Sequence, residues 1–230
     1  MKKILLGLAA LAVLAASCQK DSQVQPDNRS VVAGGVPLAF TDTVTLSGVL
    51  STTRTLVATT LYRLDGKYFI KNGGRLVIPA GTRIEGVKKT DTKLASALVV
   101  TKGGKIEASG TATNPVVFTS AAAAKQPGDW GGVVILGKAR INQSNNPIIE
   151  GIDQPSLPAG VDVTYGTYGS DANNADNSGI FRYVRIEYAG AQIATDNELN
   201  GLTLGGVGSG TELHHVEVAY GADDAFEFFG

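Results

Sequence analysis

Three acidic side chains near the end of the chain have the types and spacing to bind a metal ion. Asp223, Asp224 and Glu227 fall within the run Asp-Asp-Ala-Phe-Glu. Calcium takes about six to eight oxygen ligands, which carboxylates supply together with backbone carbonyls and water. The run therefore predicts a partial Ca²⁺ site. The alternative interpretation is a turn, because adjacent aspartates often bond to neighbouring backbone N–H groups.

The two histidines are the next candidates, because imidazole gains and loses a proton near neutral pH. His214 and His215 are adjacent in sequence, and successive side chains of a strand point to opposite faces. We therefore expect the two rings to diverge and not to share a metal ion. No serine or cysteine nucleophile stands beside them in a recognisable motif, so a structural place on an outer surface is favoured over catalysis.

Three aromatic residues are candidates for ligand binding. Trp130, the only tryptophan, lies in Gly128-Asp-Trp-Gly-Gly132. An exposed indole can pack its face against the C–H groups of a sugar, whereas flanking glycines also suit a ring that fills the interior. Tyr165 and Tyr168 lie in the polar stretch 142–178, which we expect to be an insertion from one face of the fold. Because such insertions often carry binding function, we expect both tyrosines to be exposed.

Composition excludes several classes of function. The chain has 230 residues, which suits one β-domain, and a formal net charge of −1. Because there is no basic excess to neutralise phosphates, nucleic acid is not expected as a partner. The one cysteine, Cys18, excludes a disulfide within the chain and a cysteine zinc site.

The first residues predict export and attachment to a membrane. Lys2 and Lys3 precede an apolar run, residues 4–16, which is shorter than the roughly 20 residues that span a bilayer. Residues 1–17 are therefore predicted to be a signal peptide that ends in a lipobox-like Ala-Ala-Ser before Cys18. Lipidation of Cys18 would give stable attachment, because two acyl chains anchor where one does not. The alternative is ordinary cleavage that leaves an incidental free cysteine.

The chain beyond Cys18 divides into a tether and a repetitive β-rich domain. Residues 18–35 are polar and aperiodic, as in a flexible linker, and residues 36–230 contain short β-rich runs broken by Gly, Asn and Asp. Gly and Asn at the ends of these runs suit left-handed corners. The run Gly73–Thr82 recurs 30 residues later, and Phe181–Gly190 recurs 32 residues later. Such offsets predict the coils of an all-β, right-handed parallel β-helix, with a β-sandwich or small barrel as the rival fold.

Parity along the second repeat assigns side chains to faces. Val184, Ile186 and Tyr188 correspond to Val216, Val218 and Tyr220, and are expected to point inward and stack from coil to coil. The opposite parity pairs Tyr183 with His215 and Arg185 with Glu217 on the outside. The exposed ion pair is expected to contribute only about 0–1 kcal/mol.

These segments resemble a family of Bacteroidetes surface lipoproteins with a right-handed β-helix of the pectin-lyase-like superfamily. The resemblance covers nearly all of the mature chain and rests on these segments: Leu61-Tyr-Arg-Leu-Asp-Gly66, Leu76-Val-Ile-Pro-Ala-Gly-Thr82, Ala108-Ser-Gly-Thr-Ala-Thr-Asn-Pro-Val-Val-Phe-Thr-Ser120, Gly128-Asp-Trp-Gly-Gly-Val-Val-Ile-Leu-Gly137, Arg182-Tyr-Val-Arg-Ile-Glu-Tyr-Ala-Gly190, Asn200-Gly-Leu-Thr-Leu-Gly-Gly-Val-Gly-Ser-Gly210 and Gly221-Ala-Asp-Asp-Ala-Phe-Glu-Phe-Phe-Gly230. The charged stretch Gln19-Lys-Asp-Ser22 similarly resembles the signal for the outer face of the outer membrane in that group.

The resemblance implies a fold and an address but no catalytic residues. Relatives in the wider superfamily cleave acidic polysaccharides with Ca²⁺ held by carboxylates and a basic residue that takes a proton. The resemblance also implies that the chain is C-terminally truncated, because members usually continue into further Asp-rich coils. This chain stops at Gly230, just after Phe226, Phe228 and Phe229.

Three functions follow as hypotheses. The leading one is a lipid-anchored outer-membrane protein, facing the cell exterior, whose β-helix is a non-catalytic polysaccharide-binding or adhesive module. The alternative is a Ca²⁺-dependent polysaccharide lyase or hydrolase. The third is a purely structural surface spine.

Overall fold

A computed structural model describes residues 32–33, 36–37, 39–143, 147–152 and 157–230. The predicted signal peptide, residues 1–17, and the lipidation candidate Cys18 lie outside the described residues. Among those residues, no helix has the length and apolar character needed to cross a bilayer. The regular secondary structure of the described residues is almost all β-strand, with 3-10 turns at Thr92–Leu94 and Gly169–Asp171.

The strands are short, as the frequent glycines in the sequence require. In chain order they are β1 Val32–Ala33, β2 Val36–Pro37, β3 Asp42–Leu50, β4 Thr53–Thr55, β5 Thr60–Ile70, β6 Arg75–Pro79, β7 Arg83–Gly86, β8 Ala97–Val100, β9 Lys105–Ser109, β10 Val116–Ser120, β11 Gly132–Leu136, β12 Gly179–Glu187, β13 Gln192–Ala194, β14 Asn197–Glu198, β15 Leu202–Gly205, β16 Glu212–Ala219 and β17 Phe226–Phe229.

Parallel pairing winds these strands into a parallel β-helix with three faces. Thirteen of the described strands form one network, outside which β1 pairs β2 and β13 pairs β14, both antiparallel. Face 1 holds the first halves of β3 and β5, then β7, β10 and the second halves of β12 and β16. Face 2 holds the second halves of β3 and β5, then β8, β11, β15 and β17. Face 3 holds β4, β6, β9 and the first halves of β12 and β16.

Strand register confirms that the sequence repeats are neighbouring coils. Arg75 pairs with Lys105 between β6 and β9, which is the offset of the first repeat. Val184 pairs with Val216, and Ile186 with Val218, between β12 and β16. The predicted β-helix is therefore confirmed, because successive copies of each repeat lie side by side in parallel, as the coils of a solenoid do.

Aromatic rings fill the interior between faces 1 and 3. Phe118 lies near-parallel to Trp130, with ring centroids 6.3 Å apart, and to Phe181 on its other side, at 6.2 Å. Trp130 and Phe181 are fully buried. The Trp130 Nε1–H donates to the carbonyl of Glu187 at 2.8 Å, so the polar atom of the indole is satisfied inside the core.

A second apolar layer lies outside the solenoid, against face 2. Leu98 and Val133 point into the main core, so their neighbours Val99 and Val134 must point outward. The outward residues are nevertheless buried, because the insertion and the β13–β14 hairpin fold back over them. The covering side chains are Ile141, Ile149, Ile152, Val163, Tyr165, Ala191, Ile193 and Leu199.

Candidate functional site

Two stacked pairs of rings flank face 1 in the coils that contain β12 and β16. Tyr183 lies on His215 with centroids 4.3 Å apart and an interplanar angle of 16°. Tyr188 lies on Tyr220 at 5.0 Å, also at 16°. Tyr183 lies within β12 and Tyr188 follows its last residue, and their partners lie at the matching positions in and after β16. We call these four residues, with Arg185, Glu187 and Glu217 between them, the aromatic strip.

The backbone at all four ring positions is left-handed. The φ angles are +47° at Tyr183, +60° at Tyr188, +53° at His215 and +56° at Tyr220. Bulky side chains rarely adopt this conformation, which ordinarily favours glycine. Within the described residues the other non-glycine example is Asp196, and no asparagine is found there. The prediction that glycine turns the corners is confirmed, whereas its extension to asparagine is wrong.

Charged groups occupy the strip between the stacked rings. Arg185 Nε donates to Glu217 at 3.0 Å, and the same guanidinium lies 3.7 Å from Glu187. The predicted pairing of Arg185 with Glu217 is therefore confirmed. A shallow cavity of about 130 Å³ opens beside this pair. It is lined by Thr111, Ala112, Pro115, Tyr183, Val184, Arg185, His215 and Glu217.

The two histidines converge, so the prediction that their rings diverge is wrong. His214 Nδ1 lies 2.6 Å from His215 Nδ1. The left-handed backbone at His215 breaks the alternation of the strand at this residue, and the second ring turns toward the first. His214 Nε2 lies 2.9 Å from Glu212 Oε1, and Arg182 Nη1 donates to the same oxygen at 3.1 Å.

The predicted Ca²⁺ site at Asp223, Asp224 and Glu227 is not assembled. Across the described ranges, no group of three or more His, Cys, Asp or Glu side chains is arranged to hold a metal ion. Asp223 accepts the N–H of Asp224 at 2.9 Å, as in the alternative turn interpretation. Glu227 instead accepts from Asn200 Nδ2 at 2.5 Å, because it lies on the outward side of β17 beside Thr203.

Glu227 belongs to a different acidic cluster, formed with the insertion and the β13–β14 hairpin. Burial, the charge of Glu150 and a hydrogen bond with Glu150 raise the pKa of Glu227 to about 7. Burial, followed by a hydrogen bond with Asp223, raises the pKa of Glu198. The sequence did not predict this cluster, because Glu150 and Glu227 meet only when the insertion folds onto face 2.

This cluster predicts a pH dependence of stability. A carboxyl whose pKa is raised on folding stabilises the fold below its unfolded pKa, and that contribution is lost as the pH rises through the folded pKa. We expect the wild type to lose about 1 kcal/mol of stability between about pH 4.5 and pH 7, a value that allows for solvent screening of a partly exposed carboxyl. The Glu227→Gln variant is expected not to show this loss. Urea denaturation across this range measures it.

The matched control is Glu217→Gln, because Glu217 lies outside the cluster. In this variant the free energy of unfolding is expected to change with pH as it does in the wild type. A wild-type free energy of unfolding that rises from pH 5 to pH 8, or an unchanged slope in Glu227→Gln, would contradict the repulsion between Glu150 and Glu227.

Of the three aromatic candidates, the structure leaves one exposed. Trp130 is fully buried, which corresponds to the interior alternative rather than to a sugar platform. Tyr165 is 3% exposed, so the prediction of its exposure is wrong. It is covered because the insertion folds back onto face 2, where its ring meets Phe229 with centroids 5.5 Å apart. Tyr168 is 62% exposed, as predicted, but lies outside the aromatic strip.

The sequence contained part of the signal for the aromatic strip. The repeat paired Tyr183 with His215 and Tyr188 with Tyr220, but parity placed Tyr188 and Tyr220 among the inward residues. Both stand at corners, where the backbone changes direction: Tyr188 is buried, as expected, whereas Tyr220 is exposed. An aromatic residue that recurs directly before Ala-Gly or Gly-Ala, as these two do, is the signal that indicates a stacked corner.

Comparison with known proteins agrees with the observed coils. Comparisons with curated proteins and with solved structures gave no match. A family model described as a pectate-lyase like beta helix domain matches residues 48–230, which include the aromatic strip and almost every strand of the solenoid. The chain therefore belongs to the family of the pectate-lyase like beta helix domain.

Proposed function

We propose that this protein is a lipid-anchored cell-surface module that binds polysaccharide along its aromatic strip and does not turn it over. The observation that carries the proposal is the pair of ring stacks on adjacent coils, with an arginine and carboxylates between them. His215 and Tyr220 are exposed, Tyr183 is half-buried, and Tyr188, which stacks on Tyr220, is buried.

The chemistry of the strip suits a sugar chain. The face of an aromatic ring packs against the C–H groups of a sugar, while Arg185, Glu187 and Glu217 offer donors and acceptors to its hydroxyls. The stretch from Tyr183 to Tyr188 is about 16 Å long at the usual rise of a strand. A short oligosaccharide can therefore contact both stacks and the charges between them at once.

The backbone conformation supports a role beyond folding. Left-handed conformations at non-glycine residues cost about 1–3 kcal/mol each, and such residues concentrate at binding and catalytic sites. Glycine turns many of the other corners of this solenoid, for example at Gly73 and Gly103. The aromatic residues at these four corners thus carry a conformational cost that glycine would avoid.

The proposed location at the membrane rests on the sequence. A short apolar segment follows Lys2 and Lys3, and Cys18 stands directly after small residues, as expected of a lipidated protein. We propose that acyl chains on Cys18 hold the β-helix at the outer face of the outer membrane, with residues 18–35 as the tether.

Retention of labelled glycans by whole cells tests glycan binding and the cell-surface location together. Cells that carry the full-length protein are expected to retain at least one polysaccharide from a panel of neutral and acidic polymers. Tyr183→Asn and Tyr220→Asn are expected to reduce retention roughly tenfold, which corresponds to about 1.4 kcal/mol of lost contact. Asparagine is chosen because it tolerates the left-handed backbone.

Two controls sharpen this test. Tyr168→Asn removes an exposed tyrosine outside the strip and is expected to leave retention unchanged. Cys18→Ser is expected to abolish glycan retention by the cells, because the protein is no longer anchored. The released Cys18→Ser protein is still expected to bind the glycan. Equal retention by the wild type and by both strip variants would refute the strip, and loss only in Tyr168→Asn would place the site on the insertion.

One observation favours a second candidate, a polysaccharide lyase or hydrolase. The pKa of Glu227, at about 7, is in the range that suits a general acid or base at neutral pH. In the same panel this candidate predicts shortened or unsaturated products from an acidic polymer, lost in Glu227→Gln. A parallel sample with a chelator tests whether turnover requires Ca²⁺.

A further inference from the structure

We propose that His214 and His215 together form a binding site for a divalent transition-metal ion that favours imidazole nitrogen, Cu²⁺ or Ni²⁺ rather than Ca²⁺. Metal binding at this site is a different function from polysaccharide binding, although His215 belongs both to the site and to the aromatic strip. Two nitrogen ligands converge, and the neighbours of each ring hold it in place.

The first observation is the hydrogen bond that joins the two Nδ1 atoms, 2.6 Å apart, in which one ring donates and the other accepts. Adjacent residues of a regular strand could not bring their rings together, because their side chains leave on opposite faces. Here the backbone at His215 has φ +53°, which turns its ring onto the side of His214. Both imidazoles are exposed, so an ion in solution can reach the nitrogens.

The second observation is the hydrogen bond at the far side of the His214 ring. Glu212 Oε1 lies 2.9 Å from His214 Nε2 and is held there by Arg182 Nη1 at 3.1 Å. The carboxylate can only accept, so His214 Nε2 carries the proton and His214 Nδ1 accepts from the N–H of His215 Nδ1. An ion binds both Nδ1 atoms once the proton of His215 has moved to Nε2 of the same ring. A carboxylate behind a histidine is the arrangement that orients metal-binding imidazoles.

The third observation is the packing that fixes the His215 ring. Tyr183 stacks on it at 4.3 Å, and the His214 ring meets it edge-on, at 4.8 Å and 81°. Tyr183 also touches His214 edge-on, with centroids 5.9 Å apart. The two nitrogens are therefore preorganised, and little side-chain freedom remains to be lost when an ion binds.

The spacing of the nitrogens selects among ions. Metal–nitrogen bonds of about 2.0 Å at a right angle place two nitrogens about 2.8 Å apart, whereas a tetrahedral angle places them about 3.3 Å apart. The observed distance of 2.6 Å between the nitrogens is closer to the value for a right angle at the metal, which a tetragonal ion provides. Cu²⁺ and Ni²⁺ adopt this geometry, and the remaining positions would be filled by water or by a bound ligand.

Calorimetric titration of the full chain with Cu²⁺, Ni²⁺, Zn²⁺ and Ca²⁺, each alone, tests the proposal. We expect one equivalent of Cu²⁺ or Ni²⁺ to bind, more tightly than Zn²⁺, with no saturation by Ca²⁺. His214→Ala and His215→Asn are each expected to weaken binding at least tenfold, and Glu212→Gln about tenfold. Asparagine at position 215 preserves the left-handed corner, so loss of binding would not reflect a misfolded coil.

Controls separate this site from others on the chain. Cys18→Ser removes the one thiol of the chain, and Asp224→Asn removes a carboxylate of the acidic run. Both variants are expected to bind the ion as the wild type does. Binding that is absent in the wild type, or unchanged in the His214→Ala/His215→Asn double variant, would overturn the proposal. Glycan retention measured in chelator stands apart from this result, so the two proposals can fail independently.

Discussion

Truncation of Trp130 to alanine is expected to lower the free energy of unfolding by about 3–5 kcal/mol, one of the two largest effects expected in this chain. The indole is fully buried and packs against Phe118 and against Gly86, and its Nε1–H satisfies the carbonyl of Glu187. Its removal leaves a large cavity and an unpaired carbonyl. Urea denaturation monitored by circular dichroism measures the change.

The contact between Trp130 and Gly86 allows a stricter test of the cause. A Cβ added at Gly86 would lie 2.5 Å from the Cβ and Cγ of Trp130, so Gly86→Ala alone is expected to cost about 1–3 kcal/mol by overpacking. In the Trp130→Ala background the same change is expected to cost less, because the contacts with Cγ and Cδ2 are gone and only the contact with Cβ remains. Tyr168→Ala, at an exposed ring, is the control and should change stability by less than about 0.5 kcal/mol.

The packing model would be contradicted by a loss below about 1 kcal/mol in Trp130→Ala. It would equally be contradicted by additive effects of the two substitutions, since independent sites add and contacting sites do not.

Substitution of Gly179 by alanine is the second large effect, expected to cost at least about 3 kcal/mol. Gly179 begins β12, where the chain returns from the insertion to the solenoid, and its φ is +119°. A Cβ there would collide with the carbonyl oxygen of Ile106 on the neighbouring strand β9. Both partners are backbone, so no side-chain rotation relieves the collision, and the strained φ adds about 1–3 kcal/mol.

Gly169→Ala is the matched control for this substitution. Gly169 also has a positive φ, +87°, but nothing lies within 4 Å of the position that its Cβ would take. It therefore isolates the conformational cost, about 1 kcal/mol, from the steric one. If the two variants lost equal stability in urea denaturation, the close approach between β9 and β12 would not be what requires glycine at position 179.

The sequence predicted the architecture because repetition is visible without coordinates. Two repeats with offsets near the length of a coil favoured a solenoid over a β-sandwich or small barrel, and the register of β6 on β9 and of β12 on β16 has those same offsets. Within a strand, the period of two then assigned Val184 and Ile186 to the core and Arg185 to the outside, next to Glu217. These relations are local or strictly periodic, so the order of residues alone determines them.

Parity failed wherever the backbone left the strand. At His215 the left-handed corner brought two imidazoles together that alternation would have separated. At Tyr188 and Tyr220 it produced a stack at the edge of face 1, in which Tyr188 is buried, as expected, and Tyr220 is exposed. A non-glycine residue in this conformation cannot be foreseen from residue preferences, since the surrounding coils impose it.

What the sequence determined, then, is the coil, its register and the chemistry that each strand presents. The tertiary structure decided which of those groups meet. Tyr165 became buried and Glu150 met Glu227 only because the insertion folds back over face 2, far along the chain from β17. Burial of the outward residues Val99 and Val134 explains why it does so: an apolar outer face stabilises whatever segment covers it, and no local pattern states which segment that is.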